Sequence, residues 1–200
     1  MTDKYGDGGD NQYCYPQSDV LINKLGIVEQ AALDAEEIAL TQARVEQYVP
    51  DFDDISLTGL RSIHRYLFQD IYDWAGELRS VDISKGNTRF ANVNRIEPEA
   101  KKLFQQLKQE NFLVGLPREQ FVASLAHYYC EFNVLHPFRD GNGRSQRLMF
   151  EVISINAGFA IRWQPIERQE WINANIAAYN CQLDRLINII DRAITPILET

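Results

Sequence analysis

The sequence predicts a mainly α protein, a single helical domain that carries one small β-hairpin flap. Three observations predict it. Apolar residues recur at helical spacing along most of the 200-residue chain. Only one stretch, Glu77 to Phe90, comes close to the alternation of a strand pair. The length suits one hydrophobic core, and no repeat, low-complexity run or linker divides it.

Taken in order, residues 1–18 read as an irregular arm held by Tyr13, Tyr15 and Pro16. The domain proper is expected over 19–195, with a short tail over 196–200. A helical region over 19–48 is predicted in two pieces: Leu21, Ile22 and Leu25, then, after Gly26, Ala31, Leu33, Ile38, Ala39 and Val45. Glu36, Glu37, Asp51, Asp53 and Asp54 read as solvated acidic positions. After a loop over 49–57, Thr58 is a good N-cap for a helix through Leu60, Ile63, Leu67, Ile71 and Trp74, which Gly76 ends. The hairpin follows, with Leu78, Val81 and Ile83 alternating and a turn at Lys85-Gly86-Asn87. Such a hairpin is unstable alone and must lean on the helical body. Helices then resume over 97–111, 118–135, 143–157, 167–179 and 182–194. Pro98 and Pro117 are expected in first turns, and Gly158 as a stop.

Composition narrows the function. Apolar residues make up 45% and charged ones 24%, as in ordinary globular proteins. A net charge of -8 argues against a sequence-independent grip on nucleic acid or anionic lipid, since both need a basic surface. No run approaches the roughly 18 apolar residues of a membrane span. The polar, Gly-rich N-terminus lacks the apolar core of a signal peptide. A cytoplasmic protein is expected. Cys14, Cys130 and Cys181 are odd in number and far apart, which disfavours zinc and a disulfide framework; Cys130 and Cys181 are expected as buried thiols.

The chemistry concentrates in His136-Pro137-Phe138-Arg139-Asp140-Gly141-Asn142-Gly143-Arg144-Ser145-Gln146-Arg147. Pro137 disfavours helical geometry at His136, so the imidazole projects from a helix end into a loop that Phe138 pins to the core. Gly141 and Gly143 permit positive φ and close backbone approach, and they lead into a helix N-terminus that favours phosphate. Arg144 and Arg147 share a helix face and can reach one polyphosphate. Asp140 adds a hard carboxylate oxygen of the kind Mg²⁺ takes beside phosphates. An unperturbed His titrates near ~6.5, so His136 can accept a hydroxyl proton at neutral pH. Each feature alone has a plain structural reading. Together they describe a phosphoryl- or nucleotidyl-transfer site. His64, His127, Trp74, Trp163 and Trp171 lack such neighbours and read as packing residues, Trp74 as a core wedge under the flap.

HPFRDGNGRSQR resembles the Fic-domain signature (His, x, Phe, x, Asp or Glu, Gly, Asn, Gly, Arg, two residues, Arg) at every defined position. LFQDIYDWAGELRSVDISKGNTRFA is similar to the helix and flap hairpin that precede the signature, and AHYYCEFNVLHPF to its motif-bearing helix. The likeness covers about residues 20–195. It implies a Fic-type fold with the flap over the active site, and Mg²⁺-dependent transfer of AMP from ATP to Tyr, Ser or Thr of a target protein. By the same resemblance His136 is the base and Asp140 holds Mg²⁺. Asn142, with the backbone of Gly141 and Gly143, meets the α- and β-phosphates; Arg144 reaches the β-phosphate side and Arg147 the γ-phosphate. The flap, Ile83, Ser84, Lys85, Gly86, Asn87 and Thr88, would dock a target segment by strand addition. Lys85 and Thr88 are second-rank nucleotide contacts, and Asn180 is the candidate at the adenine.

Family members carry an inhibitory helix whose Glu blocks the second motif arginine, in the pattern Ser or Thr, three residues, Glu, then Gly or Asn. Glu110-Asn111 fails it, because Gln106 stands where Ser or Thr belongs. Thr195 to Thr200 has the first spacing but carries Pro196 and ends in Thr after Glu199. The resemblance therefore implies a small antitoxin that supplies the Glu in trans. It also implies a likeness to Fic toxins of bacterial toxin–antitoxin pairs, whose targets are the ATPase subunits of DNA gyrase and topoisomerase IV. Rival readings are transfer of a γ-phosphate, UMP or phosphocholine by a related enzyme, and a non-catalytic nucleotide-binding module. Kinase-type relatives depart from the motif at the positions of Gly141 and Gly143, and an intact His136 disfavours the module.

Overall fold

The computed structural model describes residues 12–164 and 166–197. Among these are seven α-helices: α1 Gln30–Glu46, α2 Leu57–Phe68, α3 Val93–Gln109, α4 Arg118–Leu135, α5 Asn142–Asn156, α6 Arg168–Tyr179 and α7 Asp184–Ala193. Two small antiparallel sheets join them. β1 (Ser84–Lys85) pairs with β2 (Thr88–Arg89), and β3 (Phe159–Ile161) with β4 (Ile194–Pro196). The mainly α architecture with a hairpin is the one the sequence predicts. Helix α4 runs through the centre, packed by α3, α5, α6 and α7, while α5 lies along α2 and α2 along α1. The fully buried Leu67, Phe68, Phe121, Leu125, Phe138 and Ile153 fill the space between them.

Helix α4 has the bounds expected, because prolines punctuate both ends; Pro117 is its N-cap residue rather than part of the first turn. Helix α3 begins earlier than expected. Asn92 caps it by accepting the Asn94 N–H, so Pro98 lies inside the helix. Pro98 has no N–H to give the Asn94 carbonyl, and Asn94 is an exposed residue of the first turn. Ser56, not Thr58, caps α2, accepting from Thr58 and Gly59 N–H.

Helix α2 stops at Phe68 instead of running to Gly76. The Ile71 carbonyl accepts the Lys24 N–H, and Tyr72 stacks on Trp74 at 4.3 Å, so apolar spacing continues without helix. Residues 19–28 likewise form no helix. Cys14 bridges to Leu21, and the Asn23 side chain bonds Leu21 and Ile27, giving the backbone a local alternative. The β3–β4 pair went unpredicted because three residues are too short to show alternation. Helix α1 is rotated from the expected apolar face: Ile38 is 62% exposed, and the buried stripe is Leu33, Glu37 and Thr41. Glu37 is thus buried, contrary to the solvated reading. Cys130 is buried, but Cys181 is exposed at φ 63° in the turn between α6 and α7. The predicted arm falls outside the described residues up to residue 11, as does Glu199.

Candidate active site

The site begins where α4 ends. His136 takes a left-handed conformation, φ 45° and ψ 64°, which stops the helix before Pro137 and turns the chain into the loop. Its Nδ1 lies 3.1 Å from the Asn133 carbonyl. A carbonyl can only accept, so Nδ1 carries the proton and Nε2 the basic lone pair. The ring stacks on Phe90 at 3.8 Å and is buried. Burial pushes its pKa down to about 3, and the Arg79 and Lys85 cations push the same way, against the Asn133 bond and Asp140. The imidazole is neutral across the physiological range.

Asn142 closes the loop locally. Its Oδ1 accepts the Phe138 N–H and its Nδ2 donates to the Phe138 carbonyl, both at 2.8 Å. The Asn142 side chain thus holds the loop in shape with its Oδ1 and one of its two amide N–H groups. Gly141 adopts φ +76°, and a Cβ there would meet the Phe68 ring at 2.4 Å. Glycine is required on both counts. Gly143, expected to need the same freedom, instead takes helical geometry as the second residue of α5, and a Cβ would make only ordinary contact with Arg147 Nη1. Asn142 and Gly143 head α5, where N–H groups lack intrahelical acceptors and the dipole favours anions. Asp140 is buried, with Oδ1 accepting the Gly141 N–H at 2.6 Å.

Scaffold residues hold this half of the loop. His64, fully buried, accepts the Gly76 N–H at Nδ1 (2.8 Å), which leaves Nε2 to donate to the Asp140 carbonyl (3.0 Å). It stacks on Phe138 at 3.9 Å, and burial depresses it to about 3. His64 is structural, as expected, yet it shapes the motif. His127 is exposed on α4. Arg144 is anchored toward α1 while it lines the same groove as Arg147. It bonds Glu37 and Thr41 on α1 and lies over Phe68 at 4.6 Å. Burial opposes its charge, but Glu37 and Asp140 outweigh it and raise its pKa. Glu37 also accepts from Tyr72 at 2.5 Å. Arg147 lies close to Tyr129, whose phenol is pushed up to about 12 by burial. Both arginines, with Arg162, Glu151 and Trp163, line a groove of about 860 Å³.

The flap turn has Gly86 at φ +56° as its first central residue, the requirement of a type II′ hairpin. Lys85, Gly86 and Asn87 are exposed, Ser84 and Thr88 half-buried, and Ile83 packs inward on Phe90 and Val81. Trp74 is half-buried, its ring against those of Tyr72, Tyr13 and His64. Asn180 is exposed, and its side chain donates to the Ile176 carbonyl of its own helix. Its neighbour Tyr179 reaches the flap, donating to the Arg89 carbonyl at 2.9 Å. Sequence reasoning missed Glu37, Thr41, Arg79 and Tyr179, all of which act through partners remote in sequence.

The Fic/DOC family model matches residues 54–154, the span from the start of α2 to the end of the motif-bearing pair of helices. The chain belongs to the Fic/DOC family. It is 44% identical to "Probable protein adenylyltransferase Fic" of Escherichia coli, over 98% of this chain and 97% of that one. It is 36% identical to "Protein adenylyltransferase VbhT" of Bartonella schoenbuchensis, over 94% of this chain but 40% of that longer protein. A crystal structure of the N-terminal Fic domain of a Bartonella quintana effector with bound ADP superposes with a TM-score of 0.86 at 28% identity. The match covers 93% of this chain and 95% of that one. BepC of Bartonella tribocorum, solved with AMPPNP, gives 0.85 at 25% identity, covering 92% and 96%. Among the described residues of this Fic protein no helix is long and apolar enough to cross a membrane, and no three His, Cys, Asp or Glu side chains gather as a metal site.

Proposed function

We propose that this Fic protein transfers AMP from ATP to a Tyr, Ser or Thr hydroxyl of a target protein, in the cytoplasm. The carrying observation is the fixed tautomer of His136 at the head of a loop that opens onto a helix N-terminus. Nε2 of His136 takes the proton of the target hydroxyl as its oxygen bonds to the α-phosphorus. The bond from the α-phosphorus to the bridging oxygen breaks, and pyrophosphate leaves. Asn142 and Gly143 offer backbone N–H groups to the α- and β-phosphates across the close backbone approach that Gly141 permits, Arg144 its remaining donors to the β-phosphate, and Arg147 meets the γ-phosphate.

Asp140 fits Mg²⁺, which needs only one or two carboxylates when phosphates and water complete its shell. When bound, the ion would neutralise phosphate charge. The flap edge from Ile83 to Thr88 docks the target as an added strand, with Lys85 and Thr88 near the nucleotide. Asn180 stands at the adenine side only as a position carried over from the resemblance. Relatives named adenylyltransferase and neighbours holding ADP or AMPPNP support the donor.

Restraint comes from a separate antitoxin whose Glu reaches Arg147. The arginine-lined groove beside Arg147 supports this, being open and suited to an acidic helix. The target class, the ATPase subunits of DNA gyrase or topoisomerase IV, rests on resemblance to Fic toxins. The test is incubation of the protein and candidate targets with α-labelled and, separately, γ-labelled ATP. Label on protein from α-labelled ATP alone is expected; label from γ-labelled ATP alone would make the enzyme a kinase.

A further inference from the structure

We infer that Arg79 is the positioning residue that couples the flap to the base, by capping the C-terminus of the helix that carries His136. A helix end leaves its last carbonyls without intrahelical donors, and they concentrate negative partial charge. At the end of α4 every carbonyl from Phe132 to Pro137 has a donor. Phe132 accepts the His136 N–H, and Asn133 accepts His136 Nδ1. Val134 accepts the Ala91 N–H at 3.0 Å. The remaining three belong to Arg79: Nη2 reaches the Leu135 carbonyl at 3.3 Å, Nε the His136 carbonyl at 2.8 Å, and its backbone N–H the Pro137 carbonyl at 2.9 Å.

The same guanidinium binds the flap. Nη1 donates to the Val81 carbonyl at 2.6 Å and Nη2 to the Ala91 carbonyl, so both roots of the hairpin are fastened to it. Asp82 stands 3.8 Å from Nη1 and is itself fixed by the Val93 N–H and the Asn92 side chain. The Arg79 side chain has no exposed surface. Burial lowers its pKa to about 10, so it stays charged at neutral pH. A planar fork with five donors can serve four carbonyls at once, and an ammonium cannot. The left-handed turn at His136 needs this support, because it points a carbonyl away from the helix ladder. A flap displaced from its seat therefore drags the imidazole with it, and a flap held by a docked strand holds the base.

This role rests on the transfer reading for its kinetic readout, so two other readouts accompany it. Arg79→Lys and Arg79→Met are compared with the parent in single-turnover transfer from α-labelled ATP. ATP affinity is measured by calorimetry, the His136 tautomer by ¹⁵N NMR, and amide exchange over 81–91 and 134–138. Transfer is expected to fall about a hundredfold, the cost of misplacing a reacting group by about an ångström. ATP affinity should stay within about twofold, as for independent sites. The Nδ1-protonated signature should weaken, and the flap and the end of α4 should lose exchange protection together.

Loss of rate matched by an equal loss of ATP affinity overturns the role, as does a folded variant with parental tautomer and protection. If both Arg79 variants fail to fold, Asp82→Asn decides, since it loosens the guanidinium from outside. The same split, smaller in size, is expected, and unchanged rate and tautomer refute the coupling. A parent that transfers no AMP sinks the transfer reading alone, because tautomer and exchange are read without it.

Discussion

The two ends of the motif loop are held by different parts of the chain. At the base end, His136 is fixed by Asn133 of its own helix, by Phe90 stacked on its ring and by Arg79 on its carbonyl, two of them flap residues. At the anion end, Asp140, Gly141 and Arg144 are fixed by His64 and Phe68 of α2 and by Glu37 and Thr41 of α1. Phe138 and Asn142 join the halves in the middle. In the proposed mechanism nucleotide binding thus depends on the helical layer, and base alignment on the segment proposed to meet the target. An enzyme built this way can keep its donor bound and still lose its rate when the flap is displaced.

Variants should break the two ends separately. The largest effect is expected for His136→Ala. Transfer should fall by about a thousandfold, within the range for general-base catalysis, while calorimetry finds ATP affinity nearly parental. Glu37→Gln acts on the other end. It leaves the largely buried Arg144 without its carboxylate, and denaturant titration should show a loss of about 2 kcal/mol. Weaker ATP binding should accompany it with little change in rate at saturating ATP. A Glu37→Gln protein that binds ATP normally but transfers slowly would assign Arg144 to the base end.

The smallest effect at neutral pH concerns the histidines as acid-labile groups. Both fall from an ordinary 6.5 to about 3 on folding. Between those values the unfolded chain binds more protons, so stability is fully present above about pH 6.5 and is lost as pH falls toward 3. His64→Gln can keep both bonds without titrating. Its denaturation free energy should depend less steeply on pH across that window, and an unchanged slope would remove His64 from the account.

The motif loop was legible because its chemistry is local: a proline, glycines and charged residues within twelve positions determine a helix end, a turn and a helix start. Helix α4 was legible for the same reason. Arg79 was not. Within Glu77-Leu78-Arg79-Ser80 it reads as one more outward strand residue, and its acceptors at Leu135 and His136 lie 56 and 57 residues away. Glu37 looked solvated because an acidic residue in a helix usually is; only Arg144 and Tyr72 explain its burial. The end of α2 was misread because Ile71 and Trp74 keep helical spacing while the chain leaves the helix to pack against residue 24. The Asn142 bonds to Phe138 span four residues, and this loop-holding part was not read from the sequence beside the phosphate contact that the resemblance implies.

The separation of the two ends is tested most directly by a double-mutant cycle of Arg79→Lys and Glu37→Gln, read as transfer rate at one subsaturating ATP concentration. Independent ends predict losses that multiply to within about twofold. A double variant no slower than Arg79→Lys alone would contradict the account, because the flap and the α1 layer would then be acting on the same half of the loop.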